Sequence, residues 1–149
     1  MKISDIKIKS FLTHADRWDQ GYALPKPDTQ LMQTVLTIET DEGISGHFIG
    51  GGTHGDQEGL NNVDQNLILG RIRDLLIGQN PLDREMIWQW LLVAWFPENV
   101  ASVIDNALWD LAGRMTNLPV YKLMGGARDK VKAYASTYPN IGKPKVYAE

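Results

Sequence analysis

The residues Gly50-Gly51-Gly52-Thr53-His54-Gly55 satisfy the pattern G-x-G-x-x-G. Asp74 follows at about the distance, roughly twenty residues, at which a dinucleotide-binding unit places the acid that holds a ribose hydroxyl. That chemistry needs a strand before the glycines, a helix after them and a parallel strand to close the unit. Here the preceding stretch reads as half of an antiparallel hairpin, and the following helix leads to two more helices, so nucleotide binding is the weaker reading. Three adjacent glycines also let a chain turn sharply and bring its backbone close to a ligand or another surface. Residues 50–56 are therefore expected to form a lid loop. His54 in that loop is either a solvated imidazole or a ligand contact, and His14 has the same two readings. His47, inside a strand pattern, reads as structural.

Residues 14–30 contain Gly21, Pro25, Pro27 and Asp28 without sustained periodicity, which reads as a long loop and a second lid. Trp18 and Tyr22 in that stretch are large aromatics whose exposure is costly, so burial against a ligand or another domain is expected. Trp88, Trp90 and Trp95 cluster around a helical stretch and read as core or interface packing. Asp105 and Trp109 lie one helical turn apart, with Asp110 one step round. No His, Lys or second carboxylate has a matching spacing nearby, and structural pairing is favoured over catalysis. With no cysteine and three scattered histidines, the segment has no thiol nucleophile, disulfide or Fe–S ligand and little for a zinc site. It contains no triad, carboxylate pair or metal cage, so no catalytic residue and no metal ligand is assigned within it.

The elements that must position these residues follow from hydrophobic period. Ile6, Ile8, Ser10 and Leu12 alternate with Lys7, Lys9, Phe11 and Thr13, which predicts a half-buried strand over about residues 2–13. Met32, Thr34, Leu36, Ile38 and Thr40 alternate with Gln33, Val35, Thr37 and Glu39, and Asp41-Glu42-Gly43 supplies a turn into a third strand at 44–49. From Asn61 the period changes: Val63, Leu67, Ile68, Ile72, Leu75 and Leu76 follow helical spacing, and Gly78 ends the helix. Asn80-Pro81 reads as the N-cap and first position of a second helix, with Asp83 in its first turn. A third helix carries Val100, Ile104, Ala107, Leu108, Leu111 and Met115 on one stripe; Asn117 caps it, and Pro119 opens one further turn closed by Gly125-Gly126. Strands followed by helices make an α+β fold, a three-stranded antiparallel meander followed by a helical bundle. After it, residues 131–137 read as a lone strand whose unpaired backbone predicts further chain.

In 149 residues, 43% hydrophobic and 22% charged content place the chain among globular proteins. A net charge of −3 without a run of Lys or Arg offers no footprint for nucleic acid or an anionic membrane. The start alternates charged and apolar residues, unlike a signal peptide, and no stretch approaches membrane-spanning length, so a cytoplasmic protein is expected.

Three blocks resemble the enolase superfamily, in particular the mandelate racemase and muconate lactonizing enzyme family. They are Thr37-Ile38-Glu39-Thr40-Asp41-Glu42-Gly43-Ile44-Ser45-Gly46, Leu76-Ile77-Gly78-Gln79-Asn80-Pro81, and Ile104-Asp105-Asn106-Ala107-Leu108-Trp109-Asp110-Leu111-Ala112-Gly113 with Leu118-Pro119-Val120-Tyr121-Lys122-Leu123-Met124-Gly125-Gly126. The resemblance implies a capping domain at residues 1–126 and, at 127–149, the start of a (β/α) barrel that is otherwise missing from this chain. It implies proton abstraction α to a carboxylate, with bound Mg²⁺ stabilising the enediolate, followed by reprotonation or loss of a β-hydroxyl. The lysines, metal ligands and His–Asp pair of that chemistry lie on later barrel strands. By position, the family's two substrate-covering loops match residues 14–30 and 50–56, which makes Trp18, Tyr22, Thr53 and His54 the substrate-binding candidates. One departure is Gly46-His47-Phe48-Ile49-Gly50-Gly51-Gly52, where many relatives carry an aromatic–Gly–Glu-like segment.

The function expected of the whole protein is an acid-sugar dehydratase acting on a small carboxylate, with racemase or cycloisomerase as alternatives and a homo-oligomer as the assembly. An alternative of another class is a non-catalytic helical interaction module.

Overall fold

The computed structural model describes the backbone of residues 1–19, 22–50 and 59–133 and, within these, the side chains outside residues 13–31. β1 (Ile3–Asp19), β2 (Tyr22–Thr40) and β3 (Ser45–Ile49) form an antiparallel sheet in that order, and the helices follow, which is the expected α+β meander with a helical layer. The pairs Ile6↔Ile38, Ile8↔Leu36, Ser10↔Thr34 and Leu12↔Met32, with Leu36↔Phe48 and Ile38↔Gly46, set these residues on one face. A register shift between Ile3 and Asp5 lets Ile3 join the same core. The opposite face is polar toward the β2–β3 turn: Lys7 Nζ donates to Glu39 at 2.7 Å, and the Thr37 hydroxyl lies 3.0 Å from His47 Nδ1. His47 is thus part of a cross-strand pair.

The loop expected over residues 14–30 is a strand ribbon instead. β1 and β2 stay paired through Asp16↔Asp28, then through Trp18↔Ala23 and Asp19↔Tyr22, with a register shift between the two sets. Pro25 and Pro27 both fall inside that shift, where a residue lacking an N–H removes no ladder bond. The prolines break the sequence pattern without ending the pairing. The β2–β3 turn is as expected: Gly43 has φ +80°, and the Thr40 hydroxyl donates to the Ile44 carbonyl at 2.7 Å.

α1 (Asn62–Leu67), a π-turn at Ile68–Ile72 and α2 (Arg73–Leu76) form one continuous right-handed rod. Asn61 caps it, its Oδ1 accepting from the Asp64 N–H at 2.9 Å. Gly78, at φ +82°, turns the chain back along β1, where its N–H donates to the Ile3 carbonyl at 2.9 Å. α3 (Arg84–Val93) begins later than Asn80-Pro81 suggested. Asn80 Oδ1 accepts from Leu82 N–H and its carbonyl from Asp83 N–H, both at 3.1 Å, so Asn80 opens a turn and Asp83 occupies the N-cap position.

α4 (Glu98–Thr116) ends at Asn117 in the left-handed conformation, φ +52°. α5 (Val120–Leu123) is the short turn closed by Gly125-Gly126. Val100, Ile104, Ala107, Leu108 and Leu111 of α4 are buried in one cluster with Leu36 and Ile38 of the sheet. Each large side chain among them contributes about 1.5–3 kcal/mol by leaving water. The strand expected from Val131 is absent over the described residues 131–133, and its remainder lies outside the described residues. Among the described residues, no helix is long and apolar enough to cross a membrane.

Candidate functional site

Because β1 and β3 run one way and β2 the other, the β1–β2 ribbon and the segment after β3 leave the sheet at the same end. At that end the apolar face outruns its cover. Leu12 and Met32 continue the core-facing rows of β1 and β2 yet are 55% and 40% exposed. On the other face, Ile49, paired with Val35 at the end of β3, is 62% exposed. An apolar rim between two chain excursions suits contact with a ligand or with another domain.

Several bonds converge on one buried side chain at this end. Thr34 is fully buried on the core face of β2, where a lone hydroxyl must find partners. Its Oγ1 donates to the Gly50 carbonyl at 2.7 Å and accepts from the Leu60 N–H at 2.9 Å. Its backbone carbonyl accepts from the Gly50 N–H at 3.0 Å, and the neighbouring Met32 carbonyl accepts from the Gly59 N–H at 2.6 Å. Gly59 must be glycine here, since a Cβ would sit 2.6 Å from Thr34 Oγ1. The returning chain is fixed further by Gln65 Nε2, which donates to the Leu60 carbonyl at 2.7 Å. The buried Asp64 carboxylate accepts from Asn61 at 3.0 Å and from Asn99 on α4 at 2.9 Å, so the rod and α4 are joined beside the same stem. Thr34, Gly59 and Asp64 were not singled out from sequence. The available signal was a threonine on the inward row between Met32 and Leu36.

The backbone places Trp18 and Tyr22 in consecutive cross-strand pairs near the far end of the ribbon, Trp18↔Ala23 and Asp19↔Tyr22; their side chains lie outside the described set. Thr53 and His54, with the rest of residues 51–58, lie outside the described residues altogether. The sheet before those glycines is antiparallel, as the case against a dinucleotide unit expects.

The α4 carboxylates have structural partners. Asp105 Oδ1 accepts from Arg84 Nη2 at 3.2 Å, and the Arg84 guanidinium stacks 3.3 Å from the centre of the Trp109 ring. Asp110 Oδ2 accepts from the His47 backbone N–H at 2.8 Å and from Arg114 Nε at 2.7 Å, pinning β3 to α4. Gly46 makes that contact possible, because a Cβ there would collide with the Ala107 carbonyl and approach Leu111 Cβ to 2.6 Å. Trp88 and Trp90 pack against the core, whereas Trp95 is 91% exposed at φ +57°, so the packing expected of it is not made within this chain's described residues.

Ionisable groups with displaced pKa values sit away from this end. The Arg73 guanidinium bonded to Asp5 holds its carboxyl below the ordinary range, and Glu39 raises the Lys7 ammonium. Among the described residues, no three His, Asp or Glu side chains converge as a metal site, and the described donor set does not fit a resident Mg²⁺.

Residues 26–125 match the family model described as Mandelate racemase / muconate lactonizing enzyme, N-terminal domain. D-galactonate dehydratase of Pectobacterium atrosepticum is 40% identical over 67% of this chain and 26% of its own length. The structure of D-glucarate dehydratase from Agrobacterium tumefaciens, complexed with magnesium, superposes with a TM-score of 0.73 and 37% identity, covering 90% of this chain and 35% of that one. Dipeptide epimerase from Enterococcus faecalis superposes with a TM-score of 0.63 and 27% identity, covering 85% of this chain and 33% of that one. The chain thus spans about a quarter to a third of the length of these relatives. With the family model covering most of the chain and the meander, helical layer and motif blocks all in agreement, the chain belongs to the mandelate racemase / muconate lactonizing enzyme family of the enolase superfamily.

Proposed function

We propose that the whole protein is a Mg²⁺-dependent acid-sugar dehydratase and that this chain supplies the cover over its substrate. The observation that supports the chemistry is the 40% and 37% identity to two acid-sugar dehydratases, against 27% to a dipeptide epimerase. Dehydration removes the proton α to the substrate carboxylate and expels the β-hydroxyl with its bonding pair, leaving an enol that becomes a 2-keto-3-deoxy acid. Such an α-proton is very weakly acidic, so developing negative charge must be met by fixed cations. In this reading the cation and the base lie on donors outside the described residues.

This chain's contribution is steric and polar. Residues 1–126 form the capping domain, and 127–149 begin the barrel. Trp18 and Tyr22 from the ribbon, and Thr53 and His54 from the glycine loop, contact the substrate and exclude water. The departure of both segments from one end of the sheet supports their acting together on one ligand. Assembly as a homo-oligomer belongs to the same proposal.

The test is the full-length protein with Mg²⁺ and a panel including D-galactonate and D-glucarate. Formation of a 2-keto-3-deoxy product is expected. Exchange of the α-proton with deuterated solvent, without product, supports the second reading of racemase or epimerase. Neither reaction on any acid sugar sinks the dehydratase proposal.

A further inference from the structure

We infer that Thr34 is a positioning residue that sets where residues 51–58 leave and rejoin the sheet, and thereby tunes substrate binding without touching substrate. This rests on the proposal that Thr53 and His54 contact the ligand. The hydroxyl is fully buried and bonded on both sides of the excursion, to the Gly50 carbonyl at 2.7 Å and the Leu60 N–H at 2.9 Å. One side chain therefore fixes the separation of two chain points that are ten residues apart in sequence. The backbone bonds from Gly50 to Thr34 and from Gly59 to Met32 place both stems on the same strand. Ser10, paired opposite Thr34, reaches Gln65 at 3.3 Å, and Gln65 in turn holds the Leu60 carbonyl, so the return stem is braced from β1 as well.

A hydroxyl buried on an apolar face costs free energy unless both its donor and acceptor capacities are used. Here both are used on the residues that flank 51–58, Gly50 and Leu60. A valine at this position would fill a similar volume, yet it would remove the side-chain bond to each stem and leave only the backbone bonds and Gln65 to hold them. The two ends of a ligand-contacting segment would then sample a wider range of separations, and the contacts in between would be lost from ground state and transition state alike.

The experiment uses the full-length protein with D-galactonate and D-glucarate as probes, and amide hydrogen exchange in parallel. Thr34→Val is expected to raise KM about tenfold with kcat within about twofold, and to speed exchange at Leu60 by about tenfold while Ile104 in the core stays as in wild type. Thr34→Ser, which keeps the hydroxyl, is expected to restore both. Should Thr34→Val fail to fold, Thr34→Ala, which removes the hydroxyl without adding atoms, makes the same test. Unchanged exchange at Leu60, or Thr34→Ser as impaired as Thr34→Val, overturns the proposal. Faster exchange with an unchanged KM overturns the link to substrate. If wild type turns over neither probe, the dehydratase reading fails by itself, and exchange at Leu60 still decides whether Thr34 sets the stems.

Discussion

The two ends of one sheet are built on opposite principles. At the β2–β3 turn, backbone meets backbone: Gly46 lets β3 lie against the Ala107 carbonyl, Asp110 bonds the His47 N–H, and Ile38, Ile104 and Leu108 are sealed beneath. At the opposite end the same inward rows continue into Leu12 and Met32, half exposed, and a buried hydroxyl joins two backbone bonds in tying β2 to the stems at Gly50, Gly59 and Leu60. Rigid packing at one end and a few directional bonds at the other fit the proposal that the latter end carries substrate-contacting segments. The closed end resists change because any added atom has nowhere to go. The open end can be rebuilt without disturbing the core.

The contrast can be broken by substitution in the full-length protein. Leu108→Ala, in the sealed region, is expected to cost about 2–5 kcal/mol in a denaturant titration, mostly from the cavity left under the sheet. Gly46→Ala is expected to cost about 1–3 kcal/mol, because α4 must move off β3. A shift below about 0.5 kcal/mol there would show that the contact yields and that the closed end is less rigid than its packing implies. Asp110→Ala leaves the His47 N–H without its side-chain partner and is expected to cost about 1–3 kcal/mol. At the open end, Leu12→Ser is expected to change stability by no more than about 0.5 kcal/mol while altering KM for the acid sugar.

The smallest effect sharpens the comparison through pH. Asp5 lies on the solvent side near the closed end, and its carboxyl is held below the ordinary range first by the Arg73 hydrogen bond, at 3.0 Å. A folded-state pKa depressed in this way stabilises the fold above the unfolded pKa and loses that contribution as pH falls through the folded one. Asp5→Asn should therefore be slightly less stable than wild type at neutral pH, by under about 1 kcal/mol because the pair is partly exposed. The two melting curves should converge on acidification. A gap that widens in acid would reverse the assignment.

Sequence by itself determined the elements whose residues face a buried layer. The alternation in 32–40, the helical stripe from Val100 to Leu111, Gly78 and Asn117 at helix ends, and the Asp41-Glu42-Gly43 turn all carry their signal locally, because a half-buried strand or helix must repeat with its own period. The motif blocks at 37–46, 76–81 and 104–126 carried the family by resemblance, and the family-model match over residues 26–125 agrees with them. The ribbon over the described residues 14–19 and 22–30 escaped, since prolines seated in a register shift mimic a loop. Asn80 was misplaced because its side chain can serve a turn or a helix start equally, and only the chain's return along β1 selects the turn. Tertiary structure alone decided that Thr34 bonds Gly50 and Leu60, that Gly59 and Gly46 must lack a Cβ, and that Asp105 meets Arg84. Those are distances between residues far apart along the chain, and no local period encodes a distance that exists only after the sheet and helices have packed.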